Sequence, residues 1–560
     1  MESKEGECEL SPAGQRNGGQ ILVEALRGQG VDRVYCVPGE SYLPVLDALV
    51  DCPDIAVVST RHEGAAANMA EADGKLTGRP GICMVTRGPG ATHASVGVHT
   101  ARQDSTPMIL FIGQVAAGER DREGFQEVDY RAMFAPLAKW VAEIDDAARI
   151  PEYVARAFRV ATAGRAGPVV LSLPENMLSG AIDPPPPAGA TAAARAAPVA
   201  SELEALRDKL RAAERPLIVV GGSGWDAEAS RALADFAQRS AVPVAAGFRR
   251  QDIIDNRHGA YCGHLGFGID PSLAERVTQA DLVLAIGSRL GEITTGGYTL
   301  LSSPVPAQEL VHVHPDPEEL GRVYQPSLAF ACGVSDFARA LAALDVPATG
   351  ERTARLHEAR TAYLAFSTPG EASPDFVDMA HVVAWLSDYL PENAMVANGA
   401  GNYAVWLHRY FRYKQLRTEL APTSGAMGYG VPAAIAGKLR HPSRPAVAFA
   451  GDGCFLMYPQ EIGTAAQYGA DLIVIVVNNG TYGTIRLHQE RRFPGRVMAT
   501  DIANPDFVAL AESFGVHGQR VEATADFPAA FRRAEAANRP ALIELRVDPR
   551  QLTPTFRIPD

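Results

Sequence analysis

The feature that most constrains the fold is a series of short aliphatic runs, each of which ends at glycine, asparagine or aspartate. In the last third of the chain these runs are AMVANG, AVAFAGDG, LIVIVVNNG and ALIELRVD, with stretches typical of helices between them. Continuous aliphatic runs are typical of parallel strands, and the loops after the carboxyl ends of such strands bind ligands. We therefore predict an α/β fold of doubly wound parallel sheets.

The same alternation divides the chain into three blocks. The runs of the first block are RVYCVPG, IAVVS, GICMVT, MILFIG and PVVLSLP, and those of the middle block are LIVVGGSG, DLVLAIGS and LVHVHPD. A Pro/Ala-rich linker covers residues 183–201, and a stretch with few strand formers, which could include a linking helix, covers residues 348–374. The predicted domains are residues 18–182, 202–347 and 375–550, between a flexible N-terminus at 1–17 and a C-terminal tail at 551–560.

Charge and hydropathy exclude several classes of partner. The 560 residues include 52 Lys and Arg against 65 Asp and Glu, a net charge of −13 that is spread without a basic block. We therefore expect no nucleic acid and no anionic membrane as a partner. The longest aliphatic run, LIVIVV, is far shorter than the ~20 residues of a membrane-spanning helix. The polar, acidic N-terminus lacks the pattern of a secretion signal, which predicts a cytoplasmic protein.

The most specific motif lies in AVAFAGDGCFLMYPQEIGTAAQYGADLIVIVVNNGTYG. One predicted strand ends at Gly451-Asp452-Gly453, a helix follows, and the next strand ends at Asn478-Asn479. The 27 residues from Asp452 to Asn479 match one strand–helix–strand unit, which would set both side chains at neighbouring strand ends. Their oxygens suit magnesium or calcium, and a magnesium ion could bridge a diphosphate to Asp452 while the helix start supplies N–H groups. The alternative is a pair of ordinary Asp and Asn turns.

Two motifs of the first block leave alternatives open. RGPGATHAS, at residues 87–95, could let the backbone approach a ligand at a helix N-terminus, or it could be a tight turn without function. In VVSTRHEGAAANMAEADG, Glu63 lies where an apolar run meets an alanine-rich one. Taken alone, Glu63 could be an ordinary acid at the start of a helix beside Arg61.

These motifs resemble the cofactor signature of thiamine diphosphate-dependent enzymes, and the most similar group is acetohydroxyacid (acetolactate) synthase. The pyrimidine-binding domain of that group is matched by VPGESYLPVLDAL, TRHEGAA, RGPGATH, IGQV, GFQEVD and LAKWV. Its diphosphate-binding domain is matched by SGAMGYGVPAA, GDG and NNGTYG. The resemblance reaches from about residue 18 to 550 and implies a pyrimidine-binding, a central and a diphosphate-binding domain.

The resemblance implies roles for individual residues. Asp452, Asn479 and the backbone carbonyl of Thr481 would hold magnesium. Met427 would prop thiamine diphosphate in a bent form, which brings its aminopyrimidine nitrogen against the thiazolium carbon that loses a proton. Glu63 would hydrogen-bond the pyrimidine ring, and an apolar pocket would favour a carboxyl that shares its proton with a ring nitrogen.

Further positions match cofactor-binding and channel residues of the family. Gln114, Phe125 with Gln126, and Lys139 match positions that line the channel to the cofactor, with Gln114 and Lys139 as candidate catalytic residues. Lys139 would suit the carboxylate of a 2-oxoacid, although a lysine before tryptophan is commonly a solvated side chain over an aromatic face. The remaining cofactor-binding candidates are Pro38, Gly39, Asn402, Gly425, Gly451, Gly453, Cys454, Tyr482 and Gly483.

The chain departs from acetohydroxyacid synthases in the third and middle blocks. AGNYAVW has Asn402 and Tyr403 where the family has Gln-His, so contacts to the diphosphate could differ. His488 stands where those synthases place the tryptophan that selects 2-oxobutyrate; it could act on an intermediate or point into a polar loop. GSRLGEITTGG differs from the segment that holds FAD in those synthases, which disfavours a bound flavin.

The function implied by the resemblance is decarboxylation of a 2-oxoacid with carboligation to an acceptor. The active site would lie at the subunit interface of a homodimer or homotetramer. The alternative enzyme is a thiamine diphosphate-dependent C–C lyase or hydrolase acting on a diketone or an acyl-CoA. The alternative of another class is a catalytically silent regulatory paralogue, against which the intact Glu63, Asp452 and Asn479 argue.

Overall fold

The computed structural model describes residues 14–372 and 375–559. Most of the N-terminal segment predicted to be flexible, two residues of the second linker and the last residue of the tail therefore lie outside the described residues. Within the described ranges, three six-stranded sheets alternate with helices, and every strand pair in these sheets is parallel. The α/β prediction of three doubly wound parallel sheets is confirmed.

The first sheet forms the core of the N-terminal block. Its strands, in order across the sheet, are Ala56–Ser59, Arg33–Cys36, Gly81–Val85, Met108–Gln114, Pro168–Pro174 and Trp140–Glu143. The central strands are buried along their full length, which explains why their sequences are continuous aliphatic runs. The helices around it are Gly18–Gly28, Leu43–Val50, Glu63–Thr77, Gly88–Asp104, Tyr130–Phe134, Ile150–Thr162 and Glu175–Ser179.

The middle sheet has the same architecture. Its strands, in order, are Tyr261–His264, Val244–Ala246, Pro216–Val220, Leu282–Ile286, Glu309–His314 and Leu328–Ala331. The last of its helices, Gly350–Phe366, occupies the segment in which a linking helix was an option. The helices are Ala200–Ala212, Ala227–Arg239, Pro271–Gln279, Val334–Ala342 and Gly350–Phe366.

The third sheet carries the GDG and NN motifs on its central strands. In order, its strands are Glu419–Leu420, Met395–Asn398, Ala446–Gly451, Ile473–Asn478, Ala541–Arg546 and His517–Val521. An antiparallel pair, Gln551–Thr553 with Phe556–Arg557, follows near the C-terminus. The helices are Met379–Tyr389, Ala404–Tyr410, Gly430–Arg440, Asp452–Phe455, Glu461–Gln467, Gly483–Arg492, Phe507–Ser513 and Phe527–Ala536.

The helix predicted between the GDG and NN motifs is interrupted. The chain forms one short helix at Asp452–Phe455 and a separate helix at Glu461–Gln467. Pro459 lies between them, and proline has no N–H to donate and clashes with the preceding turn, so the first helix cannot continue through it. The ligand-facing helix start predicted after Gly453 is therefore a single turn.

The structure divides into two compact units. The first unit contains the N-terminal residues to Ala194 together with Ile435–Arg440 and Tyr458–Tyr468, and the second contains the rest of the chain. The first sheet thus belongs to the first unit, and the middle and third sheets belong to the second. None of the helices within the described ranges has both the length and the apolar character needed to cross a bilayer.

Two helices of the first unit pack unusually closely, and their packing positions Glu63. Helix Glu63–Thr77 begins after the N-cap residue His62 and is buried at 12 of its 15 positions. Helix Gly88–Asp104 approaches it at Gly97, where an added Cβ would lie 2.4 Å from Cβ of Ala67. This approach requires small side chains, which explains the alanine-rich sequence after Glu63.

Candidate active site

The GDG and NN motifs meet at one edge of the third sheet. Strands Ala446–Gly451 and Ile473–Asn478 are parallel neighbours. Asp452 follows the first strand, its side chain is buried, and its carboxylate accepts hydrogen bonds from the backbone N–H groups of Gly453 and Gly480, both at 2.8 Å. The spacing of the sequence motif therefore brings the two strand ends together as predicted.

Asn504, which the motifs did not indicate, joins these two strand ends. Its side-chain amide donates to Oδ2 of Asp452 at 2.8 Å and to Oδ1 of Asn478 at 2.9 Å. The Asn504 Oδ1 atom is itself buried without a hydrogen-bond partner. One amide thus orients the Asp452 carboxylate and leaves an oxygen available nearby.

The oxygen atoms at this edge suit a hard divalent cation. Burial raises the pKa of Asp452, and the three hydrogen-bond donors described above are uncharged, so a cation would offset the cost of the buried carboxylate. Asn479 Oδ1 accepts from the N–H of Thr481 at 3.2 Å, and the carbonyl of Thr481 accepts from Gly483 at 2.8 Å. Each of these oxygens has a second lone pair, and carboxylate, amide and carbonyl oxygens are typical magnesium ligands.

A large cavity in the second unit opens at the same edge. Its volume is about 1090 Å³, and His488 also lines it. The cavity gathers every cofactor-binding residue that was predicted in the third block: Asn402, Gly425, Met427, Gly451, Asp452, Gly453, Cys454, Asn479, Thr481, Tyr482 and Gly483.

Two glycines of the cavity wall have no room for a side chain. A Cβ at Gly453 would lie 2.6 Å from the ring of Tyr482, and one at Gly483 would lie 2.5 Å from Oδ1 of Asn402. The Asn402 amide donates to the carbonyl of Leu552 at 2.7 Å, which ties this wall to the C-terminal segment. Both glycines line the cavity, and a larger residue at either position would displace the neighbouring side chain.

Tyr403 and Cys454 form hydrogen bonds that support the turn at Gly451-Asp452-Gly453. The Tyr403 hydroxyl accepts from the N–H of Gly399 at 3.0 Å and donates to Sγ of Cys454 at 3.3 Å, and Gly428 donates to the same sulfur at 3.2 Å. Burial raises the pKa of both side chains, so they remain protonated at neutral pH. The side chain of Cys454 is thus used in packing, which leaves its backbone for the cavity.

Glu63 lies in the first unit, at the first position of its helix. Its side chain is 15% exposed, and Oε2 lies 2.9 Å from Nδ1 of His93. Arg61 does not pair with Glu63: its guanidinium donates to Thr464 Oγ1 at 2.6 Å and lies 3.4 Å from Gln467 Oε1. Glu63 is therefore an acid at the start of a helix, as in the alternative, and its carboxylate contacts His93 instead of Arg61.

Pro38 and Gly39 are two further candidates from the first block. Pro38 and Gly39 follow strand Arg33–Cys36, and a Cβ at Gly39 would lie 2.5 Å from Cβ of Thr86. That strand pairs with Ala56–Ser59, whose carboxyl end leads to Glu63. Pro38 and Gly39 therefore lie at the same edge of the first sheet as Glu63.

Gln114, Phe125 and Gln126 lie around one loop at the end of strand Met108–Gln114. The Gln114 side chain is buried and donates to the carbonyl of Val128 at 2.9 Å, so it fixes the loop. The ring of Phe125 is 73% exposed. Gln126 has a positive φ of 65°, and its carbonyl accepts from the N–H of Gly88 at 2.9 Å.

Lys139 does not lie with these residues. It precedes strand Trp140–Glu143 and so lies at the amino end of the sheet, whereas Gln114 lies at a carboxyl end. Its ammonium donates to the carbonyl oxygens of Val160 at 2.5 Å and Ala163 at 2.6 Å, at the end of a helix. The structure contradicts the expectation that Lys139 binds a 2-oxoacid carboxylate, because a helix C-terminus already holds its charge.

Domains of a known protein family match most of the chain. The N-terminal TPP binding domain of thiamine pyrophosphate enzymes matches residues 16–133, their central domain matches residues 203–341, and their C-terminal TPP binding domain matches residues 399–545. The chain belongs to the thiamine pyrophosphate enzyme family. Thiamine pyrophosphate is another name for thiamine diphosphate, and the predictions of the family and of thiamine diphosphate as cofactor are confirmed.

Curated relatives of this thiamine diphosphate-dependent enzyme are acetolactate synthases. The probable acetolactate synthase large subunit of Methanocaldococcus jannaschii is 30% identical over 96% of this chain and 93% of its own length. The acetolactate synthase isozyme 2 large subunit of Escherichia coli is 30% identical over 95% of this chain and 96% of its own. The acetolactate synthase of Bacillus subtilis is 30% identical, with coverages of 95% and 94%.

Two residues next to the candidate site residues, Asn504 and His93, were not predicted from the sequence motifs. Asn504 lies 25 residues beyond Asn479, outside any motif, so no local signal points to it. His93 stands within RGPGATHAS, and a histidine in a glycine-rich helix start near a candidate glutamate was a signal that could have been used. Both residues contact a candidate site residue: Asn504 contacts Asp452, and His93 contacts Glu63.

Proposed function

We propose that this enzyme decarboxylates a 2-oxoacid and joins the remaining carbon unit to a carbonyl acceptor, with thiamine diphosphate and magnesium bound. The observation that carries the proposal is the single cavity that holds Asp452, Asn479 and Thr481 together with Met427 and His488. The relatives described above are acetolactate synthases, which supports this reaction class. When bound, thiamine diphosphate supplies the carbon nucleophile and the electron sink that decarboxylation requires.

The proposal assigns a separate role to the metal-site residues, to Met427 and to Glu63. The oxygens of Asp452, Asn479 and Thr481 would hold the magnesium ion. Met427, half-buried against the apolar core of the third sheet, would support thiamine diphosphate. Glu63 holds a proton at the pyrimidine ring, and its low exposure favours a proton shared between carboxyl and ring nitrogen.

His488 is the residue of the cavity that we propose for acceptor selection. It lies on helix Gly483–Arg492, lines the cavity and is exposed to it. An imidazole can donate to, or accept from, an oxygen of the acceptor, whereas an aromatic hydrocarbon face cannot. We accordingly expect acceptors that carry a polar oxygen near the new carbon–carbon bond.

The assembly is part of the same proposal. In the family resemblance, the glutamate of one subunit serves the metal site of its partner, so we propose a homodimer or a homotetramer that acts without FAD. Light scattering gives the mass of the assembly. The visible absorption spectrum of the purified protein reports any bound flavin.

The proposed function is tested by product analysis. Purified protein is incubated with thiamine diphosphate, Mg²⁺ and a panel of 2-oxoacids, diketones and acyl-CoA esters, and both carbon dioxide and coupled products are measured. We expect carbon dioxide release together with a new hydroxy-ketone product from at least one 2-oxoacid. Cleavage of a diketone or acyl-CoA without decarboxylation of any 2-oxoacid would contradict the proposal.

Glu63 provides the matched variant for that assay. Glu63→Gln keeps the size of the side chain but cannot hold the shared proton, so turnover should fall by about 10²-fold or more, the usual contribution of a positioned acid–base group. Cofactor affinity should remain near that of the wild type. Glu152→Gln, a change at an exposed carboxylate of the same unit, is the control and should leave turnover unchanged.

A further inference from the structure

Glu63 has a neighbour to which the proposed function gives no task. Nδ1 of His93 lies 2.9 Å from Oε2 of Glu63, so this ring nitrogen is within hydrogen-bond distance of the carboxylate. We propose that His93 carries protons between solvent and the Glu63 carboxyl. The inference deepens the proposed function and rests on its assignment of Glu63 to the cofactor ring.

The exposure of the two side chains gives the direction of this path. Glu63 is 15% exposed, whereas His93 is 52% exposed. Glu63 begins helix Glu63–Thr77, and His93 lies in the second turn of helix Gly88–Asp104. The imidazole therefore reaches from a shielded carboxylate to water, with one ring nitrogen for each.

The two oxygens of Glu63 have different surroundings. Oε2 contacts His93, whereas Oε1 faces Gly90, at which an added Cβ would lie 3.6 Å from it. The missing side chain at Gly90 leaves room beside Oε1. The carboxylate can thus contact a flat ring through Oε1 while it exchanges a proton with His93 through Oε2.

The ring of His62 contacts the ring of His93, but His62 does not take part in the proposed proton transfer. The N–H of Gly64 donates to Nδ1 of His62 at 3.0 Å, so that nitrogen carries a lone pair and the neutral ring has its proton on Nε2. Burial, followed by the proximity of His93, lowers the pKa of His62, which favours this neutral form. Its ring centroid lies 4.7 Å from that of His93 and 4.9 Å from that of Tyr458.

The thiol and phenol groups near Glu63 and His62 retain their protons at neutral pH. Burial raises the pKa of Cys83 well above its ordinary value and raises that of Tyr42 as well, and the charge of Glu63 adds to both effects. Burial also raises the pKa of Tyr458 and of the Glu461 carboxyl, which accepts from the backbone N–H of Arg61. An imidazole can accept a proton on one ring nitrogen while it donates from the other, and His93 combines that chemistry with the contact to Glu63.

The proton transfer balances without any co-reactant. A proton from water binds Nε2 of His93, and the proton on Nδ1 passes to Oε2 of Glu63. His93 remains neutral with its tautomer exchanged, and the carboxylate becomes a carboxylic acid. The reverse sequence returns the proton to water.

The first test needs no cofactor. In chelator-treated, cofactor-free protein labelled with nitrogen-15, imidazole NMR reports the tautomer of the neutral His93 ring. We expect protonation at Nδ1 in the wild type, because the Glu63 carboxylate accepts that proton, and loss of this preference in Glu63→Leu, which removes the acceptor. A tautomer ratio that is the same in Glu63→Leu would overturn the proposal.

The second test measures exchange of the C2 proton of bound thiamine diphosphate with deuterium oxide. His93→Asn should bind the cofactor with unchanged affinity and exchange at least about tenfold more slowly, and added imidazole should restore the rate. His99→Asn, on the same helix, is the matched control and should exchange at the wild-type rate. Equal rates in wild type and His93→Asn would overturn the role of His93 alone. A bound cofactor that does not exchange in the wild type would overturn the proposed function itself.

Discussion

The side-chain amide of Asn504 donates to the Asp452 carboxylate at 2.8 Å, and through its second N–H it reaches Oδ1 of Asn478 at 2.9 Å. Asn504 therefore connects the two strand ends on which the proposed metal site depends. Groups that orient metal ligands affect affinity almost as much as the ligands do. The consequence is that a residue outside every motif should control the metal site.

Replacement of Asn504 by leucine should weaken magnesium-dependent cofactor binding. The variant keeps the side-chain volume but removes both donors, so the Asp452 carboxylate loses one of the contacts that orient it. We expect about a tenfold increase in the Mg²⁺ concentration required for half-maximal binding of thiamine diphosphate, measured by calorimetry. Asn393→Leu, at the amino end of the same sheet, is the control; an equal effect at Asn393 would indicate general loss of structure.

Asp452→Asn should separate cofactor binding from the stability of the fold. The substitution removes a buried negative charge but turns an amide N–H2 group toward at least one of the N–H donors, so the cofactor-free variant should still fold and lose about 1–3 kcal/mol of unfolding free energy. Addition of Mg²⁺ and thiamine diphosphate should raise the thermal unfolding midpoint of the wild type and leave that of the variant unchanged. A cofactor-induced increase in Asp452→Asn would show that Asp452 is not a metal ligand.

The parts of the site that sequence predicted are those encoded locally. The strand of AVAFAGDG ends at Gly451, immediately before Asp452, and the strand of the neighbouring run ends at Asn478, immediately before Asn479, because glycine, aspartate and asparagine favour turns. Parallel pairing then brings the ends together. Every third-block cofactor candidate consequently lines one cavity, and the proposed roles follow from that arrangement.

The parts that sequence missed depend on distant packing. Asn504 reaches Asp452 only because its loop returns to the sheet edge, and no periodicity encodes that return. Lys139 was misplaced because a motif match gives no information on which end of a strand a side chain occupies. The sequence predicts one helix between the GDG and NN motifs, whereas Pro459 divides this segment into two helices.

A buried carboxyl pair in the second unit should make stability depend on pH. Glu419 Oε2 accepts from the N–H of Gln251 at 2.6 Å, and Asp252 Oδ2 accepts from the N–H of Thr418 at 3.0 Å. Burial, together with the charge of Asp252, raises the pKa of Glu419 from its ordinary 4.5 to about 8. The folded state therefore holds a proton on Glu419 that the unfolded chain releases at lower pH.

The sign of the effect follows from this difference in proton binding. The stabilisation by protonated Glu419 is fully present below its ordinary pKa and is lost as the pH rises through about 8. Between about pH 5 and about pH 8 the unfolding free energy of the wild type should fall by at least ~1.4 kcal/mol more than that of Glu419→Gln, since one pKa unit is worth that amount. Urea titrations of cofactor-free protein measure it. Glu392→Gln, at an exposed glutamate of the same unit, should retain the wild-type slope.

The ion pairs of Arg440 can be used to test how burial changes the contribution of an ion pair to the unfolding free energy. It contacts Asp73 through two bonds, Nε to Oδ1 at 2.6 Å and Nη2 to Oδ2 at 2.7 Å, and it contacts Asp32 at 2.8 Å. The Asp73 side chain is 6% exposed and that of Asp32 is 48% exposed. The two carboxylates share one partner and differ in solvation.

Removal of the buried carboxylate should therefore cost far more than removal of the exposed one. Asp73→Ala leaves a largely buried guanidinium without its bidentate partner and should lower the unfolding free energy by about 3 kcal/mol. Asp32→Ala should lower it by less than about 1 kcal/mol, because water solvates and screens that contact. Urea unfolding of both variants, with Arg440→Leu as the complementary change, measures the difference. Equal losses at Asp73 and Asp32 would contradict the idea that desolvation, rather than the number of ion pairs, sets the stability of this cluster.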